Sequence, residues 1–178
     1  HTPGVTGFVG HTHQPVPLTL DEVFSMLAPV IEAKAPTQAA TKAAAKPVEG
    51  GGSRFGSGEV QVERIELLAA DGGDPDGLRT GDGMLARVHY RANETIERPV
   101  LGVSIGTREG VHVWGTHGFD AGYVPERLEP GTGSIDVRIA ALPLLPGVYD
   151  VSTVLQDFRR TTIYDALQRG ASFTLQRA

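Results

Sequence analysis

Residues 142–155 constrain this chain more than any other segment. They read Leu142-Pro143-Leu144-Leu145-Pro146-Gly147-Val148-Tyr149-Asp150-Val151-Ser152-Thr153-Val154-Leu155. Each proline fixes φ and removes a backbone donor, so the run stops one strand and aims the chain into the next. After Pro146-Gly147 the period becomes two. Tyr149, Val151 and Leu155 then share one face, with Thr153 among them. A tight Pro-Gly corner feeding a long strand is a device of all-β sandwiches.

Composition narrows the function classes. A length of 178 residues gives room for one domain with an appendage, and a hydrophobic content of 40% supports a core. The 23 glycines and 12 prolines point to many turns. A formal charge of -5 argues against a nucleic-acid partner, which calls for a basic surface to neutralise phosphates. With no cysteine, disulfides, zinc-thiolate sites and cysteine nucleophiles are excluded, and a reducing compartment is suited. No apolar run approaches the roughly 20 residues of a transmembrane helix. The chain begins at His1 rather than Met, which reads as a fragment of something longer, and no signal peptide is visible.

Three zones follow one another. Residues 1–34 form an N-terminal segment with one expected helix over 18–34. Thr19 and Glu22 make a capping box there, and Leu20, Val23, Phe24, Leu27, Val30 and Ile31 fall at helical spacing, with Pro29 set to kink or end it. Residues 35–53 read as a flexible Ala/Lys/Gly-rich linker. Residues 54–178 carry a strand pattern. The first strand, over 59–70, needs a bulge, because Val60 and Val62 are out of phase with Ile65 and Leu67. Further alternating runs cover 84–92, 101–106, 111–115, 135–139, the opening segment and 171–176. Seven or so short strands with regular turn signals predict an antiparallel, immunoglobulin-like β-sandwich.

Several patterns touch on chemistry. Gly102-Val103-Ser104-Ile105-Gly106 matches a nucleophile elbow, but that device needs a strand-to-helix turn and here another strand follows. The Asp71–Asp82 loop is rich in acids without the register of an EF-hand, so a hairpin loop is its default reading. His11-Thr12-His13 has a two-residue metal spacing with no third ligand nearby. There is no Walker A motif, so this chain does not bind ATP in the P-loop manner by itself. No cofactor is expected. In Val111-His112-Val113-Trp114-Gly115-Thr116-His117 the valines share one face and His112 with Trp114 the other. Either Trp114 is presented outward for sugar stacking, or it fills the edge of the core. Arg87, His89 and Arg91 form either a polar binding face or an ordinary solvated sheet face.

An ordered set of segments resembles the C-terminal domain of polysaccharide ABC-transporter ATP-binding subunits, the Wzt C-terminal family of O-antigen exporters. The segments are Phe55-Gly56-Ser57-Gly58-Glu59-Val60, Arg79-Thr80-Gly81-Asp82, Arg98-Pro99-Val100-Leu101-Gly102-Val103-Ser104-Ile105, His112-Val113-Trp114-Gly115-Thr116, the opening corner through Tyr149, and Tyr164-Asp165. The resemblance implies a non-catalytic sandwich that binds a lipid-linked polysaccharide and selects it for export. It also implies a homodimer, partnership with an ABC-transporter permease through the parent protein, and a place in the cytoplasm at the inner face of the membrane. Three positions depart from the family pattern: His117 replaces a common Asn, Gln156 a His, and Ala166 a Trp. The expected carbohydrate-binding residues are Arg87, His89, Arg91, His112, Trp114, Thr116, His117 and Gln156. The rival reading is a structural or dimerisation module without a ligand.

Overall fold

The computed structural model describes the backbone of Val30–Lys34 and residues 52–178. The strands among them are β1 (Val30–Lys34), β2 (Arg54–Phe55), β3 (Val60–Ala69), β4 (Met84–Ala92), β5 (Ile96–Glu97), β6 (Val100–Thr107), β7 (His112–His117), β8 (Arg127–Leu128), β9 (Gly131–Ile139), β10 (Gly147–Gln156) and β11 (Ile163–Leu175). They build two antiparallel sheets, a four-stranded one in the order β1-β9-β4-β3 and a five-stranded one in the order β2-β11-β10-β6-β7. β5 and β8 pair separately. This is the expected immunoglobulin-like sandwich. Its core lies between Val62, Ile65, Val88 and Ile135 of one sheet and Val103, Ile105, Val151 and Leu155 of the other.

The Pro-Gly corner works as its sequence requires. Tyr149, Val151, Thr153 and Leu155 all point inward and are buried. The Tyr149 hydroxyl donates to the Leu145 carbonyl at 2.7 Å, tying the strand back across its own corner. Such a tyrosine tie is a recurrent sandwich feature. The same ring stacks on Phe173 with centroids 5.6 Å apart.

The bulge expected in β3 falls at Glu63, since Val62 pairs with Tyr90 and Arg64 with His89. It lets Val60 and Val62, and then Ile65 and Leu67, all face the core. It also removes the peptide of Val62 from the regular ladder. The Val62 amide instead donates to Asp165 Oδ2 at 2.8 Å. The Val62 carbonyl accepts from Arg54 Nη2, and Arg54 Nε lies 3.4 Å from Asp165 Oδ1. Arg54 and Asp165 belong to β2 and β11, so side chains of one sheet satisfy both peptide groups of a buried residue on the other. β2 comes this close to β11 because residue 56 is glycine: its φ is +145°, and a Cβ there would sit 2.3 Å from the Tyr164 carbonyl oxygen.

Two expectations are corrected. The helical period over 18–34 does not hold for its last five residues, because Val30–Lys34 is an edge strand with Val30 opposite Arg138 and Lys34 opposite Ser134. Pro29 interrupts a helical ladder, β-branched Val30 and Ile31 suit a strand, and β9 offers an edge to pair with. Residues 18–29, the His11-Thr12-His13 motif and linker residues 35–51 lie outside the described residues. The last strand starts at Ile163 rather than at 171, with a register shift opposite Val151 and Thr153 that interrupted its sequence pattern. In the acidic loop, Asp71 accepts from the Gly73 amide, Asp74 from Asp76 and Asp82 from Arg79. These carboxylates cap turns, as the hairpin-loop reading has it.

The Asp165 clasp gives a direct test. Asp165→Ala strands a buried amide and removes the partner of Arg54, and is expected to lower unfolding free energy by about 2–4 kcal/mol in urea. Asp165→Asn keeps an acceptor and loses less. Equal losses for the two variants would assign the stability to charge alone.

Candidate functional site

The outer face of the five-stranded sheet carries few large side chains. Its register sets Phe55, Ala166, Val154, Gly102 and His117 in one row across β2, β11, β10, β6 and β7. A second row holds Ser152, Ser104 and Gly115, and a third Asp150, Gly106 and His112. These residues, with Thr107, Asp120, Gln168 and Arg169 at the margins, line a groove of about 710 Å³. Small residues at alternate positions of β6 and β10 make this hollow, because the period of two puts them all on one face.

His112 reaches the groove through a bulge. Trp114 pairs with Ile105 but His112 pairs with Gly106, which leaves Val113 as the extra residue on β7. The phase flips there. A Cβ on Gly115 would meet His112 Nε2 at 2.7 Å, so the imidazole lies across the groove face. Two rows away on β7, His117 Nδ1 sits 3.4 Å from Asp120 Oδ2 without forming a hydrogen bond.

At the other end the polar contacts are tighter. Asp150 is 3% exposed although it lines the groove. Its Oδ2 accepts from Arg169 Nε at 2.9 Å, while Oδ1 has no partner. Arg169 holds a left-handed backbone with φ of 56°. Its amide donates to Ser152 Oγ at 2.9 Å.

The eight residues expected from sequence are thus divided. His112 and His117 stand in the groove, and Thr116 lines it at its core-facing side with Oγ1 buried and unpaired. Trp114 takes the core-edge reading: it packs against the hydrophobic core, while Val111 and Val113 are 59% and 37% exposed. Gln156 is on the groove side of β10, opposite Val100, beyond the lining residues. Arg87, His89 and Arg91 are on the other sheet and each is held by a carboxylate. Arg87 makes a bidentate pair with Asp136 at 2.7 and 2.9 Å. That hydrogen bonding raises the Arg87 guanidinium above its ordinary range, against the opposing effect of burial. His89 Nε2 meets Glu66 at 2.8 Å, and Arg91 Nε donates to Glu63 at 2.7 Å. These are cross-strand pairs on the face away from the groove, and Arg64 Nη2 lies 3.2 Å from the same His89 nitrogen.

Ser104 sits mid-strand on the groove floor, without the sharp strand-to-helix turn that nucleophile-elbow chemistry needs. Sequence reasoning missed Phe55, Asp150, Ser152, Gln168 and Arg169. The available signal was the run of small residues at Gly102, Ser104 and Gly106, which marks a face with room above it. Phe55 lines the groove and is 51% exposed.

Comparison with known proteins fits this geometry to a family. The family model for the Wzt C-terminal domain matches residues 52–178. The chain belongs to the Wzt C-terminal domain family. That family is related to the ATP-binding subunit of O-antigen ABC transporters. The crystal structure of the C-terminal domain of Wzt superposes with a TM-score of 0.63 at 17% identity, over 71% of this chain and 79% of that one, and so shares the fold. A stretch of 94 residues is 38% identical to the transcription termination/antitermination protein NusG of Streptomyces griseus, and one of 95 residues is 58% identical to NusG of Streptomyces virginiae. Each match takes in 53% of this chain but only 28% and 27% of those proteins, so the chain spans under a third of their length. Overlap of that extent carries no role over to this Wzt-type domain. Among the described residues no helix is long and apolar enough to cross a membrane.

The placement of Trp114 predicts a stability effect. Trp114→Ala removes packing at the core edge and is expected to cost about 2–3 kcal/mol, read by thermal or chemical melting. A variant with unchanged melting would return Trp114 to the surface.

Proposed function

We propose that this domain is a non-catalytic carbohydrate-binding module whose ligand lies in the groove of the five-stranded sheet. In the parent protein it selects a lipid-linked polysaccharide of O-antigen type for ABC-transporter export. The observation that carries this reading is the groove itself: an open floor of glycine and serine beside a buried carboxylate with one free oxygen. Sugar rings present flat C–H faces and a rim of hydroxyls. A shallow floor, an exposed Phe55 at one edge and His112, Asp150 and Arg169 around the rim match both properties. Ala166, where the family commonly has Trp, puts a small side chain between Phe55 and Val154. Stacking then falls to Phe55. By the same family relation, the domain works as a homodimer beside a transporter permease, at the cytoplasmic face of the membrane.

A second reading, a dimerisation module without a ligand, is favoured by the exposed Val111 and Val113 on and beside edge strand β7. Titrating the 178-residue chain with the source organism's own polysaccharide separates the two. Amide NMR shifts centred on Gly102, Ser104 and Gly115 are expected. Ser104→Trp should fill the floor and abolish them with little change in melting. No shifts at millimolar glycan, together with a dimer lost on Val113→Asp, would support the second reading instead.

A further inference from the structure

Among the described residues, the non-glycine ones with a left-handed backbone are Arg98, Arg160 and Arg169. Only Arg169 of these lines the groove. Glycine would relax such a position, so an arginine held there points to a use for its side chain. Its Nε is bound to Asp150 Oδ2, which leaves the guanidinium's terminal N–H groups for other partners, and the side chain is 45% exposed. Beside it, Asp150 keeps one oxygen without any hydrogen bond although the residue is 3% exposed. A buried carboxylate oxygen left unpaired is destabilising and calls for an explanation.

We infer that Asp150 and Arg169 form a clamp that reads two adjacent hydroxyls of one sugar residue, with Asp150 Oδ1 accepting from the first and an Arg169 terminal N–H donating to the second. The inference rests on the glycan reading above and names the polar determinant within that site. Oδ1 is closed to solvent in this structure, so the clamp requires the 45% exposed Arg169 side chain to shift aside when the ligand enters. The spacing of a carboxylate against a planar guanidinium suits a vicinal diol, because one group only accepts and the other only donates. A ligand carboxylate at this subsite would meet the unpaired Asp150 oxygen, so the clamp favours uncharged residues.

The test uses the full chain and polysaccharide from its source organism, untreated or oxidised with periodate and then reduced, which opens vicinal diols. Wild type should bind the untreated glycan and lose affinity for the oxidised one. Asp150→Asn keeps an acceptor for Arg169 and should weaken binding by roughly tenfold or more, with melting within about 4 °C of wild type. Arg169→Lys should weaken binding similarly, while Arg91→Gln on the other sheet should not. If wild type binds neither glycan, the carbohydrate reading itself fails. If wild type binds but Asp150→Asn binds equally well, or if Asp150→Asn lowers melting sharply without affecting binding, the pair only pins the β11 bulge and the clamp is overturned. If oxidised glycan binds as well as untreated, the diol assignment is overturned.

Discussion

The sandwich depends on the clasp that Arg54 and Asp165 place around the peptide of Val62. A β-bulge frees one peptide from its ladder, and a free peptide in a dry core is strongly unfavourable. Here the freed amide and carbonyl are met by an acceptor and a donor from the opposite sheet. This fixes the relative position of the two sheets at one end. Apolar packing alone would tolerate sliding, whereas directional hydrogen bonds do not. The short strand β2 carries Arg54, and Gly56 lets it approach β11 closely enough.

The clasp acts between the sheets, and on the outer face of the five-stranded sheet the polar contacts gather around Arg169, which meets Asp150 and Ser152. The centre of that face carries Gly102, Ser104, Gly106, Gly115 and Ser152, residues that add little packing. The four-stranded sheet differs. Its outer face is laced by Arg87–Asp136, His89–Glu66 and Arg91–Glu63, and Arg64 adds a contact to His89. The two outer faces therefore differ in what they leave unoccupied. One face has floor space, and on the other Arg87, His89 and Arg91 each meet a carboxylate.

Much of the fold was legible in the sequence because strand period and turn chemistry are local. The bulge in β3 showed as a phase break between Val62 and Ile65. The corner at Pro146-Gly147 showed as fixed φ followed by alternation, and Tyr149 occupies the tie position. The site was less legible. Val113 inserts an extra residue into β7, and no phase break in so short a strand announces it. Trp114 and His112 therefore read as one face, although the bulge sends one to the core and the other to the groove. Val30 and Ile31 fit a helical stripe as well as a strand, and only the edge of β9 settles the matter.

The sequence by itself determined the all-β class, the antiparallel strands, the corner, the bulge and the family, since each rests on neighbours along the chain. Only the tertiary structure decided which face is available. Phe55, Asp150 and Arg169 are distant in sequence and ordinary in type. They come to line one groove because strand register sets β2, β10 and β11 side by side. Tertiary contact alone leaves Asp150 with one bound oxygen and one free.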